Sequence, residues 1–170
     1  MNKKERNIEK GKIIIKDDLK WLKYGQYLNV MMVVLFLIYF SFLLMQANGD
    51  IVTLFHDNLF VTVGFIVAAC GLFITNQLKK IRSQLLEYQY VDTNYLKLIF
   101  LGIAELVLFN FAVLIIIIIS LVKYFKWGGF NQIFYGIRHY KQGWSVFLMI
   151  LILFIFIFLT YLILFTALAL

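Results

Sequence analysis

The chain has 170 residues, of which 63% are hydrophobic and 15% are charged. An average soluble domain has about 45 to 50% apolar and about 25% charged residues, so this composition excludes an ordinary water-soluble domain. The net charge is +7. Because the basic residues flank apolar runs, as lysines and arginines do at membrane surfaces, we expect no nucleic-acid partner.

Four apolar runs cover more than half of the chain. They are residues 27–45, 59–78, 98–122 and 146–170. Each run is long enough to cross the roughly 30 Å hydrocarbon core of a bilayer at 1.5 Å per residue. The sequence therefore predicts an all-α integral membrane protein. Its single transmembrane domain, residues 27–170, is expected to be a four-helix bundle that follows a basic cytoplasmic tail, residues 1–26.

The distribution of positive charge predicts how these helices are oriented. Eight lysines and arginines precede the first run, none lies in residues 46–58, four lie in 79–97 and four in 123–145. With four crossings, the positive-inside rule favours a cytoplasmic N-terminus and C-terminus. The third connection opposes this topology, since its four basic residues would lie outside. A three-crossing alternative, in which the last run re-enters or lies in the interface, removes that conflict.

The connection between the third and fourth runs has an amphipathic pattern. Its aromatic and aliphatic residues recur at helical spacing, with polar residues toward the other side. We expect a short helix in the headgroup layer, which forms an outer interfacial surface. This surface either anchors the protein or receives a cell-wall precursor, a lipid or a peptide. Its residues are Trp127, Phe130, Phe134, Arg138, His139, Tyr140, Lys141 and Trp144.

One carboxyl group lies within the predicted membrane core. Glu105 is the only Asp, Glu, Lys, Arg or His in the four runs. A charge near the bilayer centre costs a few kcal/mol, so this side chain needs a partner or a proton. From their depth, we expect Thr75, Thr160 or Tyr161 to form hydrogen bonds with it. Asn110 is expected to bridge to a neighbouring helix or to a second copy.

Small residues predict where the helices approach each other. Gly64, Ala68 and Gly71 recur at helical spacing in the second run, and Gly102 shares a face with Glu105 in the third. Small side chains let two helix backbones come close in a membrane. We therefore expect these two stripes to meet.

Two roles for Glu105 remain open. In the first it is a structural clamp that fixes helix register. In the second it is functional, either as a carrier of a proton or cation or as the polar anchor of a substrate. Transport sites in membranes are often built from broken helices, and the chain contains no proline. The sequence therefore favours the structural role.

Enzymatic chemistry has little support. The motifs H-E-x-x-H and G-x-S-x-G and the P-loop are absent, and the single cysteine, Cys70, excludes an internal disulfide. His56, Asp57, Arg138 and His139 lie on predicted outer connections, but no ligand spacing supports a metal site. We expect no metal, no cofactor and no enzymatic activity.

Small size and the lack of a soluble domain predict an accessory protein: a subunit of a larger transport or secretion complex, or an immunity-type protein. The alternative is a small oligomeric transporter or channel that uses Glu105. Expected partners are anionic lipid headgroups and either another membrane protein or further copies of the chain. Isoleucine, phenylalanine, lysine and asparagine are abundant, which is typical of AT-rich genomes. We expect the plasma membrane of a low-GC Gram-positive bacterium.

Overall fold

A computed structural model describes residues 19–87, 91–128 and 143–168. Over these ranges the protein is all-helical. The helices in chain order are α1 (Lys20–Gln46), α2 (Ile51–Asp57), α3 (Leu59–Leu86), α4 (Val91–Val107), α5 (Phe111–Gly128) and α6 (Gly143–Leu168).

Three of these helices are long and apolar enough to cross a membrane. They are α1, α3 and the Gly143–Phe165 part of α6, and Phe111–Lys123 forms a shorter apolar helix. The predicted membrane-type helical bundle is thus confirmed. α1 begins at Lys20, inside the predicted basic tail, and α3 continues to Leu86 beyond its apolar run. Lysine, arginine, glutamine and leucine are good helix formers, which explains why both helices extend past the apolar residues.

The predicted single helix over residues 98–122 is wrong, because the chain turns at residues 108–110. α4 ends with two backbone hydrogen bonds, from Asn110 N to Glu105 O at 2.9 Å and from Phe109 N to Leu106 O at 3.1 Å. This pair of bonds is the Schellman motif that ends many helices. Phe109 is its left-handed residue, with φ of 58°.

Asn110 both ends this turn and starts the next helix. Its carbonyl oxygen accepts the first hydrogen bond of α5, from Leu114 N at 3.1 Å. Asparagine is among the residues most favoured immediately before a helix. Asn110 therefore allows one helix to end and the next to begin, although residues 108–110 contain no proline or glycine.

α4 and α5 fold back on each other as a hairpin. A Cβ atom at Gly102 would lie 3.3 Å from Ile117 Cγ2 and 3.8 Å from Leu114 Cδ1. The glycine thus allows close contact between the two helices on either side of the turn. We call this pair of helices the α4–α5 hairpin.

The two ends of this hairpin lie at the same end of the bundle. Lys123 Nζ near the end of α5 lies 5.6 Å from the centre of the Trp21 ring at the start of α1. Lys97 Nζ in α4 donates to Ser145 Oγ at the start of α6, at 3.1 Å. We call this end, where α1, α4 and α6 start and α3 and α5 stop, the basic end.

The small-residue stripe of α3 packs against α1. A methyl group at Gly64 would overlap the Phe36 ring, and one at Gly71 would lie 3.5 Å from Val33 Cγ2. The expected contact between the glycines of this stripe and Gly102 is therefore wrong. Gly102 instead packs inside the hairpin, because the turn supplies α4 with a closer partner in α5.

The buried core lies where α3, the hairpin and α6 meet. Its fully buried members include Ile74 and Leu78 of α3, Leu101 of α4 and Ile117 of α5, and Met149 of α6 is 2% exposed. Many apolar side chains on the outside of the helices are exposed. That distribution is expected where lipid, and not water, is the surrounding solvent.

The left-handed backbone of Phe109 predicts an unusual mutational effect. A side chain in this region costs about 1 to 2 kcal/mol, which glycine avoids. Phe109 is 70% exposed, so little packing is lost on its removal. We expect Phe109→Gly to raise the free energy of unfolding by about 1 kcal/mol, measured by reversible denaturation in detergent micelles.

The matched variant is Phe109→Val. A β-branched residue tolerates the left-handed region least, so this variant should be less stable than the wild type by about 1 kcal/mol. Equal effects of valine and glycine would show that the backbone of residue 109 carries no strain.

Candidate functional site

Three polar side chains meet inside the apolar bundle. Asn29 of α1 donates from Nδ2 to Glu105 Oε1 of α4 at 2.9 Å. Asn110, in the hairpin turn, donates from Nδ2 to Asn29 Oδ1 at 2.9 Å. The bonds thus run in one direction and end on a carboxylate, which only accepts hydrogen bonds. We call these residues the Glu105 chain.

Burial makes these hydrogen bonds necessary. Asn29 and Glu105 are each only 1% exposed. A buried polar group without a partner costs about 1 to 3 kcal/mol, so each amide stabilises the group that it contacts. Bonds arranged in series also polarise one another in a low dielectric.

The backbone holds the members of the Glu105 chain in place. The Schellman bond between Asn110 N and Glu105 O fixes these two residues relative to each other. On α3, Gly71 lies next to the amide, and a Cβ atom there would make an ordinary van der Waals contact 3.7 Å from Asn29 Oδ1. The helix break and the small-residue stripe therefore both lie next to the Glu105 chain.

A cavity of about 440 Å³ lies beside the Glu105 chain. Asn29, Glu105 and Asn110 are its polar wall, and its apolar wall includes Gly64, Ala68 and Gly71 of α3. Met32, Phe109 and Phe111 also line it, and each is at least half exposed. The cavity therefore opens on the side of the bundle, where lipid would lie. It is a mainly apolar space with one carboxyl group and two amides.

Two threonines that were expected to bond Glu105 do not do so. Thr160 Oγ1 donates to Phe156 O of its own helix at 2.9 Å. Thr75 Oγ1 is buried and has no hydrogen-bond partner among the described residues. These expected bonds to Glu105 are therefore wrong. The carboxyl group is instead directed to α1, and helical threonines commonly bond their own preceding turn.

Tyr161 reaches the helix break and not the carboxyl group. Its hydroxyl donates to Val107 O at 3.0 Å. The last carbonyls of a helix lack partners within it, so Tyr161 satisfies one of those exposed by the break. The expectation of a Tyr161–Glu105 bond is wrong, although Val107, which accepts the Tyr161 bond, lies only two residues after Glu105 in α4.

The sequence reasoning missed Asn29, which is the central residue of the Glu105 chain. The composition of the first apolar run could have indicated it, since Asn29 is the only amide side chain in residues 27–45. Asn110, which was predicted to bridge to another helix or another copy, bonds α1 of the same chain.

The predicted outer interfacial surface falls almost entirely outside the described residues. Residues 129–142 and the side chain of Trp127 belong to that undescribed part. Trp144 is described: it is 68% exposed, and its ring stacks on Phe147 with 5.4 Å between the ring centres.

The polar neighbours of Glu105 determine its chemistry. Asn29 and Asn110 both lie beside the carboxyl group, and no basic side chain of the described residues pairs with it. Neutral amides orient a carboxylate and leave its negative charge uncompensated. Such a group is suited to bind a cation or a proton.

Comparison of the chain with protein-family models, curated proteins and solved structures finds no match.

The Glu105 chain predicts energetic coupling between two residues that are far apart in sequence. We expect Asn29→Leu and Glu105→Leu each to destabilise the protein, and their combination to cost about 1 kcal/mol less than the sum. The single variants each leave a buried polar partner unsatisfied, whereas the double variant removes both groups. The measurement is a double-mutant cycle of unfolding free energies in detergent micelles.

The control cycle combines Asn29→Leu with Thr160→Ala, since the Thr160 hydroxyl bonds its own helix. These two effects should add within about 0.5 kcal/mol. Equal coupling in both cycles would contradict a specific Asn29–Glu105 interaction.

Proposed function

We propose that the protein crosses the membrane three times and that the α4–α5 hairpin is re-entrant. α1, α3 and α6 are the helices of sufficient length and apolar character. From Lys97 to the turn at Leu108, α4 rises about 16 Å, which is roughly half of a 30 Å hydrocarbon core. The hairpin would thus enter at the basic end, turn near the middle of the bilayer and return.

The positive charges support this topology. The N-terminal segment and the connections 79–97 and 123–145 all adjoin the basic end, and together they hold all sixteen lysines and arginines. The connection 46–58, at the other end, holds none. The basic end would therefore be cytoplasmic. This proposal replaces the four-crossing topology and moves the C-terminal end of α6 to the outer side, which removes the conflict at the third connection.

We further propose that the protein is a small membrane transporter or binding protein for a lipophilic cation. The observation that carries this proposal is the buried Glu105 carboxyl group, which accepts a hydrogen bond from Asn29. With Asn29 and Asn110 it forms the polar wall of a mainly apolar 440 Å³ cavity beside a helix break. The carboxylate supplies the charge that a cation requires. The surrounding apolar walls favour a ligand whose charge is carried on an apolar body.

The broken helix strengthens this proposal. In membrane transporters, discontinuous helices place unpaired backbone groups and helix ends at the substrate site near the bilayer centre. Here α4 ends and α5 begins beside Glu105.

The lateral opening supports entry of the ligand from the bilayer. Phe109 and Phe111 stand at the opening, with ring centres 6.0 Å apart. Aromatic faces attract cations, so these rings would favour a lipophilic cation over a neutral lipid chain. A proton would compete for the same carboxylate, and exchange of one cation for one proton keeps the charge of the site balanced.

The accessory, complex-subunit or immunity-type function stays a prediction, as do the plasma-membrane location and the lack of enzymatic activity. Purification from the native membrane in mild detergent distinguishes the accessory role. A stoichiometric foreign membrane protein would favour it, whereas copies of this chain alone would favour the transporter.

The proposed topology predicts which sites react on the same face of the membrane. In a Cys70→Ala background, cysteines at Lys126 and at Ser83 should react with a membrane-impermeant maleimide from the cytoplasmic side. A cysteine at Asn48 should react from the outer side. The measurement is labelling of intact cells compared with inverted vesicles.

Ser83 is the internal reference, since it lies between the second and third predicted runs in either topology. Four crossings would instead place residue 126 with residue 48. Labelling of positions 126 and 48 from the same side would therefore overturn the re-entrant hairpin.

Ligand binding tests the role of Glu105. Glutamine keeps an oxygen that accepts the Asn29 bond and nearly the same volume, so Glu105→Gln should unfold within about 1 kcal/mol of the wild type. Its affinity for tetraphenylphosphonium should fall at least tenfold, because the charge is lost. Equilibrium dialysis of the detergent-solubilised protein with the radiolabelled cation measures this affinity.

The matched control is Glu87→Gln, which removes an exposed carboxyl group at the end of α3. This variant should bind the cation as the wild type does. Equal affinity of the Glu105→Gln protein and the wild type would assign the Glu105 chain a purely structural role.

A further inference from the structure

A second charged group is buried at the basic end. Lys97 of α4 is 1% exposed, and its Nζ donates to Ser145 Oγ of α6 at 3.1 Å. Burying an ammonium group is costly unless an anion or several acceptors compensate it. Within the described residues, no carboxylate pairs with Lys97. In the described part of the chain, the Ser145 hydroxyl is therefore the hydrogen-bond partner of this buried amine.

Lys80 adds to this excess of positive charge. It lies on α3 and lines the same groove as Ser145, the residue to which Lys97 donates. Lys80 is exposed, and its charge disfavours a second positive charge on the buried Lys97 unless an anion lies beside them. The polar groups here thus have the chemistry of an anion site that three helices form together.

A groove of about 420 Å³ between α3 and α6 adjoins these groups. Gln77, Lys80 and Ser145 line its polar part. Its other walls are apolar side chains of α3 and α6. They are Phe73, Leu148, Met149 and Ile152. Trp144 stands at its edge and is largely exposed. The groove therefore continues from a basic mouth to an apolar floor.

We propose that this groove binds one anionic phospholipid. Its phosphate accepts hydrogen bonds from Lys80 and Ser145, which line the groove, and one acyl chain lies along the apolar floor. Lys97 positions Ser145 through its hydrogen bond and adds positive charge to the site. The mouth belongs to the basic end, where headgroups would lie beside Lys79, Lys80 and Arg82. An exposed tryptophan such as Trp144 is typical of this interfacial depth.

The phosphate would also join three helices. Lys80 belongs to α3 and Ser145 to α6, and Lys97 of α4 donates to Ser145, so one anion contacts two of the long helices and is linked to the hairpin through Ser145. Charge-assisted hydrogen bonds to phosphate are stronger than neutral ones. The bound lipid is thus a structural partner of the hairpin, and its site is separate from the Glu105 cavity.

Native mass spectrometry tests this proposal with dioleoyl phosphatidylglycerol and dioleoyl phosphatidylcholine as probes. The full-length wild-type protein should retain one phosphatidylglycerol at least fivefold more tightly than phosphatidylcholine. Lys80→Gln should weaken phosphatidylglycerol binding about fivefold, the effect expected from about 1 kcal/mol per lysine near a lipid headgroup. Lys97→Gln should weaken it by at least as much.

Lys79→Gln is the matched control, since Lys79 is exposed, adjacent in sequence and outside the groove. It should leave phosphatidylglycerol affinity within twofold of the wild type. Equal losses in the Lys79 and Lys80 variants would overturn the proposal in favour of diffuse attraction to the basic end. Equal binding of the two lipids would overturn it as well. The Lys80 variant keeps the test decisive if the Lys97 variant does not fold, because Lys80 is exposed.

Discussion

The hydrogen bond between Asn29 and Glu105 is the interaction on which the position of the hairpin depends. It joins α1 to α4 across the apolar interior at 2.9 Å. In a bilayer, packing between helices gains little from the hydrophobic effect, because lipid tails are as apolar as the helix surfaces. Polar contacts and close backbone approach must then select one arrangement. The Glu105 chain supplies the polar contacts, and Gly64 and Gly102 allow the close approach.

A helix break within a membrane requires that every released backbone group finds a partner. Water is absent from the bilayer core, so unpaired carbonyl and amide groups cost several kcal/mol each. The Schellman bonds of Phe109 and Asn110 satisfy part of this requirement. The Tyr161 hydroxyl satisfies the Val107 carbonyl from α6. Irregular backbone at this depth is tolerated where protein surrounds it or where it lines a cavity, and residues 108–111 line one.

The protein separates its buried charges along the bundle. Lys97 lies at the basic end, and Glu105 lies eight residues further along α4, about 12 Å deeper. Each group has neutral hydrogen-bond partners, an amide for the carboxyl group and a hydroxyl for the ammonium group. Each partner orients its group without neutralising it. The proposed cation site thus lies near the middle of the bundle, and the proposed anion site lies at its basic end.

The amino-acid sequence by itself determined the helical membrane class, three of the long helices and the need of Glu105 for a polar partner. These features follow from local composition, since an apolar run must be helical in lipid and a lone carboxyl group there must find partners. Only the tertiary structure decided that the run 98–122 folds into a hairpin. No glycine or proline marks the break, and Phe109 adopts a left-handed backbone. Local sequence also gave no indication that Glu105 would bond Asn29, 76 residues earlier in the chain. That pairing depends on how α1, α3 and the hairpin pack, because a hydrogen bond between distant residues exists only where the whole bundle brings them within 3 Å.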